Sequence, residues 1–116
     1  MRKNEVLELS IGLAVEIIKY CELLEEKKKY VIAKQLLKSG TSIGANIKEA
    51  QNSESQLDFI HKLKIAAKEA EETEYWFFII KNVDTYPQPP ESILLSLKSI
   101  INLLNKIIIT LKTKKQ

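Results

Sequence analysis

Ser39-Gly40-Thr41-Ser42-Ile43-Gly44 is the stretch on which the fold of this chain turns. Judged by local propensity it is a loop, because glycine and hydroxyl residues are poor helix formers. Judged by spacing it is the middle of a helix. Ile32, Leu36, Ser39, Ile43, Asn46 and Ala50 recur at intervals of three and four, the mark of one helix face over residues 30–51. Gly40 and Gly44 then lie four apart and form a smooth strip that a neighbouring helix can approach closely. That logic is best attested in membranes. The first choice breaks the segment in two, and the second leaves one long helix.

The flanking sequence is helical on both sides. Over residues 5–26, Leu7, Ile11, Ala14, Ile18, Cys21 and Leu24 form one apolar stripe, with Glu5 and Glu8 near the positive end of the helix dipole. Its stop is unmarked, since Glu25-Glu26-Lys27-Lys28-Lys29 contains neither Gly nor Pro. A turn there and a continuous helix are the two readings. Ser53-Glu54-Ser55-Gln56 reads as a capping box with Ser53 as N-cap. The helix it opens runs to about residue 82. Ile60, Leu63, Ala67, Ala70, Glu74 and Phe78 form one line, and Phe59, Ala66, Thr73, Phe77 and Ile80 an adjacent one. Trp76 and Ile79 widen the arc beyond what one seam needs. Pro87-Gln88-Pro89-Pro90 ends any helix. Leu94, Leu97, Ile101, Leu104, Ile108 and Leu111 then mark a last helix over residues 91–112. Rods of ~22 residues, ~33 Å long, with short connections imply an all-α, antiparallel up-down-up-down four-helix bundle. Residues 1–116 form one such domain.

Composition narrows the function classes. The only cysteine is Cys21, so no intrachain disulfide forms, and a reducing cytoplasm is expected. Met1-Arg2-Lys3-Asn4-Glu5 leads into an acidic amphipathic stretch, which does not read as a signal peptide. The longest unbroken apolar run, 75–80, is six residues, far below the ~18 of a membrane span. Net charge is only +3, but it is segregated. Residues 1–28 carry −1, residues 29–56 carry +2, residues 57–86 carry −2 and residues 87–116 carry +4.

Catalytic and metal-binding patterns are missing from the sequence. Asp58 and the sole histidine, His61, have the i, i+3 spacing of bundle metal sites, but such a site needs two of these pairs and further carboxylates. Ser39, Thr41 and Ser42 lack the surroundings of an activated nucleophile. Cys21 lies on an apolar stripe, where a thiol is a small hydrophobe. No glycine-rich phosphate loop or zinc spacing is present. The sequence therefore predicts no catalytic residues, no metal and no cofactor. Polar residues on core-facing positions are expected to form a structural network between the second and third helices: Ser42, Asn46 and Glu49 with Glu69, Glu72 and Glu74.

Ser42-Ile43-Gly44-Ala45-Asn46-Ile47-Lys48-Glu49-Ala50 resembles the Ser-Ile-x-x-Asn-Ile-x-Glu-[Gly/Ala] signature of the four-helix-bundle proteins encoded in intervening sequences of 23S ribosomal RNA genes. Asp58-Phe59-Ile60, Leu63-Lys64-Ile65-Ala66 and Glu69-Ala70-Glu71-Glu72-Thr73-Glu74-Tyr75-Trp76 resemble further segments of that family. The resemblance implies that the helix runs unbroken through residues 39–44. It implies a ring-shaped homo-oligomer, a pentamer in structurally known relatives. It also implies RNA or DNA as a partner, or a reverse transcriptase, because the accessory protein of diversity-generating retroelements is a relative. Many relatives carry arginines before the signature, whereas Leu36-Leu37-Lys38 stand here. From the charge pattern, Lys34, Lys38 and Lys48, then Lys106, Lys112, Lys114 and Lys115, are the expected nucleic-acid contacts. From the wide apolar arc, Phe59, Trp76, Phe77 and Ile80 are the expected oligomer interface. A structural oligomer with no nucleic-acid role is the alternative.

Overall fold

The computed structural model describes residues 3–114, with side chains from Glu5 onward. Four α-helices account for most of them: α1 (Lys3–Glu26), α2 (Tyr30–Ala50), α3 (Gln56–Lys81) and α4 (Glu91–Lys114). Each packs on the next, and α4 returns to α1. Among the described residues the diagonal pairs, α1 with α3 and α2 with α4, have no backbone approach. The result is a square, up-down-up-down bundle 50 Å long. α2 and α3 pack most closely, and α1 and α4 least.

α2 runs unbroken through Gly40 and Gly44 because its polar residues bond within the helix. Thr41 Oγ1 donates to the Leu37 carbonyl at 2.8 Å and Ser42 Oγ to the Lys38 carbonyl at 2.7 Å. Asn46 Nδ2 donates to the Ser42 carbonyl at 2.8 Å. A hydroxyl that bonds the carbonyl four residues back is satisfied without breaking the helix. The glycines then do what their spacing implies. Gly40 is buried, and a Cβ built on it would meet Ile17 Cδ1 of α1 at 2.7 Å. A Cβ on Gly44 would meet Ser10 Cβ at 3.4 Å.

The end of α1 is made by a local capping motif built on a lysine rather than by a Gly or Pro. Lys28 takes the left-handed region at φ 63°. Its N–H donates to the Glu25 carbonyl at 2.9 Å, and the Lys29 N–H to the Leu24 carbonyl at 2.8 Å. That is the pair of bonds of a Schellman motif, normally built on glycine. At the start of α3 the cap lies two residues beyond the expected Ser53. Ser55 is the N-cap, accepting from the Asp58 N–H at 3.1 Å. The Ser53 hydroxyl is buried with no hydrogen-bond partner. The proline segment is tied down at both sides: Tyr20 Oη donates to the Pro87 carbonyl at 2.6 Å, and Gln88 Nε2 to the Ile80 carbonyl at 3.3 Å.

Two apolar stripes differ from expectation. On α1 the buried residues are Val6, Ser10, Leu13, Ile17, Tyr20, Cys21 and Leu24, so the core face is turned by about one residue. Ile11, Val15 and Ile18 are exposed instead. On α3 the aromatic run splits. Phe59, Phe77 and Ile80 are buried in the core of the single chain, Trp76 is half-buried, and Tyr75 and Phe78 face outward. The expectation that Phe59, Phe77 and Ile80 form an exposed oligomer surface is therefore overturned. The arc is wider than one seam because α3 sits between α2 and α4 and has two seams to fill. α4 is long and apolar enough to cross a membrane by length and composition. Core helices of bundles share that property. Here Ile93, Leu97, Ile100, Ile101, Leu104 and Ile108 pack inward, and Lys98, Asn102 and Lys106 point out.

Tyr20 and Cys21 place two titratable groups in this core. Burial first, then the neighbouring Cys21 and Tyr86, pushes the Tyr20 phenol from 10.0 to about 12. Burial, then Glu25, pushes the Cys21 thiol from 9.0 to about 12. Both folded values exceed the unfolded ones, so the contribution to stability is complete below about pH 9 and is lost as pH rises toward 12. The denaturation midpoint should be flat to about pH 9 and fall steeply above it. Tyr20→Phe should cost about 1 kcal/mol at neutral pH by removing the bond to Pro87 and should reduce the alkaline slope. An alkaline slope identical in Tyr20→Phe would show that the phenol is not the titrating group.

Candidate nucleic-acid and assembly surfaces

Lys34, Lys38 and Lys48 are exposed along α2, and Lys106, Lys112 and Lys114 along α4. Lys115 lies outside the described residues. Because α2 and α4 occupy diagonal corners, the square bundle does not merge these two groups into one patch on one chain. α3 lies between them and adds Lys64 and Lys68, both exposed, which charge counting by segment concealed behind the acidic total of residues 57–86. The i, i+4 spacing of Lys64 and Lys68 was the signal that was missed.

The expected polar network between α2 and α3 is not the one observed. Ser42 and Asn46 bond carbonyls of their own helix, as above. Glu49 does reach α3, but at the surface: its carboxylate accepts from Lys62 Nζ at 2.9 Å. That hydrogen bond, then the charge itself, raises the lysine's pKa. Glu72 accepts from Trp76 Nε1 at 3.3 Å within α3, and Glu74 faces Lys98 of α4 at 4.0 Å. Glu69 is half-buried, and its pKa is raised by burial and by the charge of Glu72, against the pull of Lys38. The reason is geometric. Glu49, Glu72 and Glu74 sit at the outer margins of the helix faces, where water solvates them, and only Glu69 is drawn partly out of water. The buried link uses smaller groups, Ser39 and Thr73, whose hydroxyl oxygens are 2.9 Å apart. Thr73 Oγ1 also lies 2.8 Å from the Glu69 carbonyl, and Ser39 Oγ 3.4 Å from that of Leu36.

No nucleophile, base and acid converge among the described residues. His61 is exposed on α3, the hydroxyls of α2 are bonded to its own backbone, and Cys21 is held protonated in the core. No group of three or more His, Cys, Asp or Glu is placed to hold a metal among the described residues. An open groove of about 720 Å³ lies between α3 and α4. Phe78, Tyr75, Leu94 and Leu97 line it, with Glu71, Glu74, Lys81 and Lys98 at its margins.

These features define a square antiparallel helical bundle whose polar side chains serve its own helices and whose charges lie on separate outer faces. The chain belongs to the 23S rRNA-intervening sequence protein family, whose model matches residues 2–109. It is similar to a crystal structure of a protein of unknown function from the S23 ribosomal protein family of Bacteroides thetaiotaomicron. The two are 45% identical over 93% of this chain and 98% of that one, with a TM-score of 0.85. No match is found among curated proteins.

Proposed function

We propose that this chain is a non-enzymatic bundle that associates with copies of itself, in a ring as the family resemblance implies, and holds RNA or DNA loosely and without sequence preference. The observation that supports this is the separation of charge between helices. α4 exposes four lysines, Lys98, Lys106, Lys112 and Lys114, against Glu91 as its one acidic residue. α1 carries six glutamates, Glu5, Glu8, Glu16, Glu22, Glu25 and Glu26. A ring repeats each α4 face, so several modest patches contact one polyanion. The diagonal placement of α2 and α4 favours a second reading, a protein-interaction oligomer that never touches nucleic acid.

A salt titration of a fluorescent single-stranded RNA against the protein separates the two. Affinity should fall linearly on a log–log plot, with a slope of about −0.7 per lysine engaged. Lys106→Ala/Lys112→Ala/Lys114→Ala should weaken binding equally for unrelated sequences and flatten the slope, with the assembly intact. No binding at about 50 mM salt, where phosphate contacts are strong, would leave the protein-interaction reading standing.

A further inference from the structure

We propose that a second copy of this chain docks head to tail, with the outer ridge of α1 seated in the α3–α4 groove of its neighbour. The proposal rests on the self-association reading above and assigns the two faces that meet. On α1, Glu8, Ile11, Val15, Ile18 and Glu22 follow one another at intervals of three and four, so they share one outward line. Ile11, Val15 and Ile18 are 53%, 47% and 41% exposed, an apolar ridge with a carboxylate at each end. On α3, Lys68, Glu71, Tyr75, Phe78 and Lys81 follow one another in the same way. Tyr75 and Phe78 are 57% and 67% exposed and form one wall of the groove, and Leu94, Leu97 and Ile101 of α4 form the other.

The two faces match in length and in charge. Glu8 to Glu22 spans fourteen residues and Lys68 to Lys81 thirteen, which at 1.5 Å per residue are ~21 Å and ~20 Å. With Val15 laid on Tyr75, Glu8 meets Lys68 and Glu22 meets Lys81. α1 and α3 run in the same direction in the bundle, and rotation about an axis along the bundle preserves that direction. The parallel pairing is therefore compatible with a ring. Of the remaining groove charges, Glu74 is already faced by Lys98 at 4.0 Å. Ridge and groove lie on different helices and both face outward, so one chain cannot satisfy itself. Each copy offers one of each, which is the requirement for a heterologous assembly, and such an assembly is a ring where the rotation between copies closes.

The test uses two variants, each disabled on one face. Val15→Asp spoils the ridge, and Phe78→Asp spoils the groove. Both sites are exposed, and circular dichroism melting confirms that each variant folds. By light scattering coupled to gel filtration, the wild type should have several times the 13.3 kDa chain mass. Each variant alone should be a monomer. An equimolar mixture should give a dimer and nothing larger, since one intact ridge meets one intact groove. Glu8→Lys/Glu22→Lys should loosen the assembly, and adding Lys68→Glu/Lys81→Glu to the same chain should restore it. A monomeric wild type overturns the self-association reading itself. A wild-type assembly that Val15→Asp or Phe78→Asp leaves at full mass, or two monomeric variants that fail to pair when mixed, overturns only the assignment of faces.

Discussion

Truncating Phe77 to alanine is expected to cost about 3–5 kcal/mol, while the same change at Phe78 leaves stability within about 0.5 kcal/mol. The two residues are adjacent and chemically identical, and only the direction in which α3 presents them differs. Phe77 is 2% exposed and its ring meets that of Tyr20 across the bundle at a centroid distance of 5.8 Å. Removing it deletes apolar area and leaves a cavity between helices that cannot collapse onto it, because both terms of a core truncation apply. Phe78 is mostly in water in the single chain, so alanine there loses almost no buried area. Urea melts of the two variants at a protein concentration low enough to keep the chain monomeric read the difference directly. Equal losses at both positions would mean that the aromatic run does not face the core as described.

Gly40→Ala is expected to destabilise the bundle by about 1–2 kcal/mol, although alanine is the better helix former by up to about 1 kcal/mol. The new methyl would lie 2.7 Å from Ile17 Cδ1 and 3.2 Å from its Cγ2. Ile17 is fully buried, so it has no open space into which to turn. Either its rotamer changes against close-packed neighbours or α1 and α2 separate. The other two glycines act as internal controls. A Cβ on Gly12 meets nothing within 4 Å, and one on Gly44 meets Ser10 at an ordinary 3.4 Å. Alanine at either should stabilise by up to about 1 kcal/mol through helix propensity alone. Thermal melts of the three variants should therefore differ in sign, and a rise in midpoint for Gly40→Ala would show that the two helices are not in close contact there.

The helices themselves were legible because each leaves a periodic apolar trace, and the three prolines before α4 allow no other boundary. The orientation of α1 was harder to read, for a physical reason. It carries two apolar lines one residue apart, and the line that enters the core includes the polar Ser10, whose hydroxyl donates to the Val6 carbonyl at 2.8 Å. Periodicity favours the cleaner line, Leu7, Ile11 and Ile18, whereas packing selects the one whose small residue fits against Gly44. The end of α1 was illegible because a lysine occupies the left-handed position that glycine usually marks. The candidate surfaces were legible only as composition. Which lysines share a face depends on which helices are neighbours, and the square order of the bundle, not the sum of charges in a segment, decides that.

Ser39 and Gly40 are adjacent in the chain yet address different neighbours. Gly40 opens a notch into which Ile17 of α1 fits, and Ser39 places its hydroxyl 2.9 Å from that of Thr73 on α3. An apolar seam of Leu, Ile and Ala tolerates sliding, since one turn of displacement brings similar side chains together. The notch and the hydroxyl pair do not tolerate it. Displaced by a turn toward the start of α2, Ile17 would confront Leu36 in place of the glycine, and displacement of α3 either way would part the two hydroxyls inside the core, where each then keeps only the carbonyl of its own helix. Competing alignments of α1 and of α3 are thus penalised from a single turn of α2. Two of the least helix-favouring residues in the chain act as its vernier, setting the axial position of the helices on either side.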